Sequence, residues 1–104
     1  MSRKHKYNAK PVYVDGVRFD SKAELRRWRT LQLLERAGHI SKLQRQVAYP
    51  LCVKGVKLGT YRADHVYVEH GEVVVEDVKG FKTPLYRWKK KHMAAQYNIE
   101  IREV

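Results

Sequence analysis

Two runs rich in β-branched residues, Tyr61 to Glu69 and Glu72 to Lys79, meet at His70-Gly71, and no other stretch constrains the fold of this chain as tightly. A two-residue loop is the simplest connection, with Gly71 supplying the positive φ that tight hairpin turns need. That loop length sets Val68 opposite Val73, Val66 opposite Val75, Asp64 opposite Asp77 and Arg62 opposite Lys79. Side chains alternate faces along a strand, so all eight are expected on one side of the sheet. The face then runs from valines, which mark it as covered, to two opposed carboxylates and a lysine. A shift of one residue would bring Glu76 rather than Asp77 to that face without Lys79 as its neighbour, so the Asp77 register is preferred.

Opposed like charges are unfavourable in a sheet. Two carboxylates ~5 Å apart repel by roughly 3 kcal/mol at an effective dielectric of about 20. A shared proton, Lys79 or Arg62 would offset this. A divalent cation does so best, because it accepts several oxygen ligands and leaves positions for water and phosphate. The bland alternative is a hairpin whose charges point into solvent.

Asp64, twelve intervening residues and then Asp77-Val78-Lys79 resemble the active-site signature of the PD-(D/E)xK nuclease superfamily, an acid on one strand followed by D/E-x-K on the next. The runs Phe19-Asp20-Ser21-Lys22-Ala23-Glu24, Leu43-Gln44-Arg45-Gln46 and Val75 to Lys82 are further similar to a small phage-borne, largely uncharacterised endonuclease-like family within it. Ala63 stands where the proline of the superfamily's name would be. The resemblance covers most of the chain and implies a restriction-endonuclease-like fold. It also implies metal-dependent phosphodiester hydrolysis, and an acid on the first helix, here Glu24, as an additional metal or water ligand.

At 104 residues the chain is long enough for one modest core and too short for two. A formal charge of +11 and a pI near 10.0 imply a polyanionic partner, with nucleic acid the default, though a basic ribosomal or membrane-surface protein would also fit. No apolar run follows the basic Met1 to Lys6, and no stretch is long enough to span a bilayer. With Cys52 alone there is no intrachain disulfide and no cysteine metal cluster. A cytoplasmic protein is expected, in the host cell if it is phage-encoded.

Residues 1–11 read as a basic arm, carrying Arg3, Lys4 and Lys6, that either clamps a phosphate backbone or solubilises the chain. Residues 12–104 read as a single α+β domain. Asp15-Gly16 between Val12-Tyr13-Val14 and Val17-Arg18-Phe19 signals a small ribbon. Ser21-Lys22-Ala23-Glu24 is a capping box that starts a helix over about 22–37, stopped by Gly38. Leu25, Trp28, Leu31 and Leu34 are its expected buried stripe, leaving Arg26, Arg27, Arg29 and Arg36 to other faces. Capping competes with metal ligation for the Glu24 carboxylate.

A strand is expected from Leu43 to Tyr49, ended by Pro50, with Gln46 either turned toward the site or, the preferred reading, on its outer face. A glycine-punctuated connection, with room for a short hairpin, follows before the central pair begins near Thr60. Thr83 as N-cap and Pro84 in the first turn start a second helix reaching about Tyr97, with Leu85, Trp88, His92 and Ala95 inward. Lys82, Arg87, Lys89, Lys90 and Lys91 are either a solvated face or a track for phosphates. Ile99 to Val104 alternates as a last strand, so the element order after the ribbon is αβββαβ, a mixed sheet flanked by helices.

The function expected is a metal-dependent DNA endonuclease acting in phage-related DNA processing, by nicking, branched-DNA resolution or restriction-like cleavage. Asp64, Asp77 and Glu24 would hold Mg²⁺ or Mn²⁺, and Lys79 would complete the catalytic set. Duplex or branched DNA is the partner, and a homodimer would place two centres on it. The alternative is a non-catalytic nucleic-acid-binding module on a degenerate nuclease fold. A ribosomal or structural RNA-associated protein explains the charge but not the opposed acids.

Overall fold

A computed structural model describes residues 10–104. The ribbon β1 (Val12–Val14) and β2 (Val17–Phe19) leads into helix α1 (Lys22–Arg36), and three antiparallel strands follow, β3 (Ser41–Val53), β4 (Val56–Glu69) and β5 (Glu72–Asp77). Helix α2 (Pro84–Tyr97) then crosses to β6 (Arg102–Glu103), which pairs parallel to β5. The sheet order is β3-β4-β5-β6. The fold is therefore α+β, a mixed four-stranded sheet with a helix against each face, in the order αβββαβ.

The hairpin register is the expected one: Glu69 pairs with Glu72, Val68 with Val73, Val66 with Val75 and His65 with Glu76. Gly71 at φ +78 and His70 at φ 52 make the turn. One face of the sheet carries Leu51, Tyr61, Ala63, Val66 and Val75 against Tyr86 and Met93 of α2. The other carries Tyr67 against Leu31 of α1 and Ile40.

Strict alternation along β4 does not hold. Tyr61 and Ala63 face α2, yet His65 stacks on Trp28 of α1 and Tyr67 packs beside Leu31. The facing reverses between Ala63 and His65, where the ladder goes from Arg45 opposite His65 to Val47 opposite Ala63, with Gln46 between them at φ 54. The eight residues expected on one face are consequently split. Arg62, between buried Tyr61 and Ala63, is exposed, and Val73 is 65% exposed because no helix reaches it.

Three further expectations are corrected. Strand β3 runs through Pro50 to a turn at Lys54-Gly55, because β3 is an edge strand where a missing N–H need not break a ladder. Helix α2 turns Tyr86 and Met93 inward and leaves Leu85 and Trp88 exposed, since Tyr86 is drawn in by its hydroxyl bond to Glu103. The last strand is confined to Arg102–Glu103.

Arg27 is a fifth correction, and it organises the α1 face. Its Nε and Nη2 donate to the two oxygens of buried Glu76 at 2.8 and 2.9 Å, while Tyr67 Oη donates at 2.6 Å and His65 Nδ1 lies at 3.2 Å. Burial alone would push the Glu76 carboxyl up; the hydrogen bonds from Arg27, His65 and Tyr67 outweigh it and bring the group down to about 2. Between that value and the ordinary 4.5 the unfolded chain binds more protons than the folded one. The stabilisation, about 3 kcal/mol, is thus fully present above pH ~4.5 and lost as the pH falls toward ~2. Urea unfolding between pH 2 and 6 should show this loss, and Arg27→Ala should cost about 3 kcal/mol or more at pH 6 by leaving Glu76 without its counter-charge.

Candidate active site

Four elements deliver polar side chains to one end of the sheet. Ser21 caps α1 by accepting from the Glu24 N–H at 3.1 Å. Glu24 does not complete the box on Ser21 but accepts from the Asp20 N–H through Oε1 at 2.8 Å. Its Oε2 is left to face the sheet, where Gln46 Nε2 donates at 3.1 Å and Arg45 Nη2 lies at 3.4 Å. Capping and site-facing roles therefore use different oxygens of one buried carboxylate.

Gln46 Nε2 also reaches Asp64 Oδ1 at 3.5 Å, linking the helix acid to the strand acid. The left-handed backbone at Gln46 and the reversal of β4 opposite it are what aim both side chains here. Gln46 thus belongs to the cluster rather than to an outer face. An Asx or Gly position would have signalled such a kink in the sequence; a glutamine does not.

Asp64 Oδ2 accepts from the Val78 N–H at 2.9 Å, which ties the end of β5 to β4 just beyond the ladder. Its neighbour Asp77 accepts from Tyr61 Oη at 2.5 Å through Oδ2, with Lys79 Nζ 3.7 Å from the same oxygen. Asp77 Oδ1 is buried and has no hydrogen-bond partner among the described residues. Lys79 Nζ also sits 4.5 Å from the centre of the Tyr86 ring, which holds the ammonium between ring and carboxylate. Tyr61 and Tyr86 carry no motif that sequence reasoning could have used; only the packing of α2 on β4 brings them in.

Electrostatics mark Asp64. Burial first, then the adjacent Asp77 carboxylate, push the Asp64 carboxyl up to about 7, against the opposing pull of the Val78 N–H and Lys79. Both Tyr61 and Tyr86 are driven well above the ordinary phenol range, mainly by burial. Glu24, Asp64, Lys79 and Phe81 line a cleft of about 740 Å³ whose rim includes Lys10, Lys22 and Arg26.

The structure thus brings together Asp64, Asp77 and Lys79, and connects Glu24 to them through Gln46. It does not gather three or more His, Cys, Asp or Glu side chains in metal-holding geometry among the described residues. Of the basic residues, Lys82 and Lys90 are engaged by Glu103 at 3.0 and 3.1 Å, while Arg87, Lys89 and Lys91 make no ion pair among the described residues. Arg3, Lys4 and Lys6 lie outside the described residues. No helix among the described residues is long and apolar enough to cross a membrane.

A family model described as "Protein of unknown function (DUF1064)" matches residues 4–103. The chain belongs to that family. No curated protein and no solved structure matches it. The DUF1064 match spans every element that supplies the cluster, from Glu24 to Lys79.

Because the fold raises the Asp64 pKa, the native chain holds more protons than the unfolded one between pH ~4 and about 7. Stability should fall as the pH rises through that window and level off above it, and Asp64→Asn should remove the slope. Carboxyl NMR titration of Asp64, with unfolding measured from pH 5 to 8, checks both.

Proposed function

We propose that this DUF1064 chain is a metal-dependent DNA endonuclease of PD-(D/E)xK type, hydrolysing phosphodiester bonds in phage-related DNA processing. The observation that carries the reading is the meeting of Asp64 and Asp77, with Lys79 Nζ 3.7 Å from Asp77, beside a cleft with a cationic rim. A cleft-lining carboxylate such as Asp64, shifted by burial and by a neighbouring charge, is the kind of group that functional sites tune.

The residues suit a hard divalent cation in their chemistry. Asp64 and Asp77 supply anionic oxygens, and the partnerless Asp77 Oδ1 is a buried acceptor that an ion would satisfy. Glu24, turned to Asp64 by Gln46, adds a third carboxylate at one remove. Bound there, Mg²⁺ or Mn²⁺ would lower the pKa of a water and offset the charge that grows on the phosphate.

The remaining roles belong to the chain. Lys79, fixed by Asp77 and the Tyr86 ring, places a positive charge where a phosphate entering the cleft would gain negative charge in the transition state. Tyr61 holds Asp77 in one orientation, and the Val78 N–H does the same for Asp64. Gln46 spans Glu24 and Asp64 and keeps helix and strand acids in register. Lys10, Lys22 and Arg26 draw the polyanion toward the cleft.

Incubation of the chain with supercoiled plasmid, junction DNA and single-stranded DNA in Mg²⁺, Mn²⁺ or EDTA tests the proposal. Metal-dependent cleavage should appear, Asp77→Ala should abolish it and Lys79→Ala should reduce it by about a hundredfold or more, with DNA binding largely retained. Cleavage at wild-type rates in either variant rejects the assignments. Salt-sensitive binding without cleavage, indifferent to EDTA, would establish the non-catalytic module instead.

A further inference from the structure

Lys79 also lines a second groove, about 420 Å³, between α2 and residues 60–62 of β4. Lys79 and Thr83 line both this groove and the first cleft, so the two form one path. Their linings differ in charge. The first cleft includes Asp20, Glu24 and Asp64. Of the described residues lining the second, Arg62, Lys79 and Lys89 are cations and none is an acid.

Leu85 and Lys89 of α2 line the groove. Trp88 and His92 lie outside that lining but follow Leu85 and Lys89 at three- and four-residue steps, so the four share one helix face that continues the groove. Leu85 is 60% and Trp88 44% exposed, which a helix with a buried Tyr86 and Met93 has no packing reason to require. Trp88 leans on His92 with ring centres 5.2 Å apart, so the indole is held rather than loose. Cations alternating with an exposed aromatic and an aliphatic surface form the combination that tracks a single strand, phosphates on the charges and bases on the apolar faces. Bases paired in a duplex do not offer their faces for stacking.

We propose that this groove is a subsite for an unpaired nucleic-acid strand flanking the phosphate held at Lys79. The inference rests on the nuclease reading for that phosphate and deepens it. The substrate has a single-stranded segment beside the cleaved bond, as at a flap, a gap or an opened branch. Arg62 and Lys89 grip its phosphates, and Leu85 with Trp88 carries a base.

The test uses the full chain in EDTA, so that binding is read without hydrolysis. Oligothymidylate should quench the intrinsic tryptophan fluorescence, and Trp88→Phe should remove most of that quenching. A duplex of equal length should compete poorly. Arg62→Ala with Lys89→Ala should weaken oligothymidylate binding by about tenfold or more at low salt and flatten the slope of log affinity against log salt by about 1.4. Undiminished binding in the double variant, undiminished quenching in Trp88→Phe, or tighter binding of duplex overturns the subsite. Strand binding as described by a chain that never cleaves leaves the subsite standing and removes the nuclease reading. Metal-dependent cleavage by a chain whose double variant binds normally does the reverse.

Discussion

One bidentate ion pair sets the frame on which the rest is hung. Arg27 reaches from α1 to Glu76 on β5, and Glu76 lies between Tyr67 and His65 of β4, so three elements are pinned at one buried carboxylate. Each member has a neighbour in the candidate site. Glu24 is one helical turn before Arg27, Asp64 adjoins His65 and Asp77 adjoins Glu76. Bidentate guanidinium pairs fix orientation as well as distance, so the geometry of the acids is inherited from the polar network beside them. A site whose like-charged groups repel one another needs such an outside constraint, beyond the one bridge that Gln46 makes between Glu24 and Asp64.

The second requirement is a local break in the sheet. Regular alternation would have placed Asp64 and Gln46 by the same rule as their neighbours, and the reversal between Ala63 and His65 instead turns them toward Glu24. A left-handed Gln46 is uncommon for a residue with a full side chain and carries a conformational cost. The cost is met where three hydrogen-bonding groups converge, a pattern in which backbone irregularity accompanies function rather than weakness.

Much of this was legible from residues alone. His70-Gly71 announced the turn, the turn set the register, and the register made Asp64, Asp77 and Lys79 neighbours; Ser21, Thr83 and Pro84 announced the helix starts. What stayed hidden depended on which layer a side chain meets. Arg27 read as a surface charge because a helix's basic residues usually are, and only the depth of Glu76 shows otherwise. Leu85 and Trp88 read as core because they are apolar, whereas Tyr86, between Leu85 and Arg87, won the inner position through its bond to Glu103. Gln46 read first as an outer-face residue because its place in the cluster comes from a φ angle that glutamine does not advertise.

Strand β5 owes one of its edges to the very end of the sheet. Asp77 is opposite Glu103 in the parallel pair, and the Val104 N–H donates to the Asp77 carbonyl at 3.0 Å. During synthesis, then, both strand acids emerge from the ribosome before the segment that closes β5 on that side. The hairpin can therefore form with one flank of β5 still open, and that flank closes only when residues 102–104 join it.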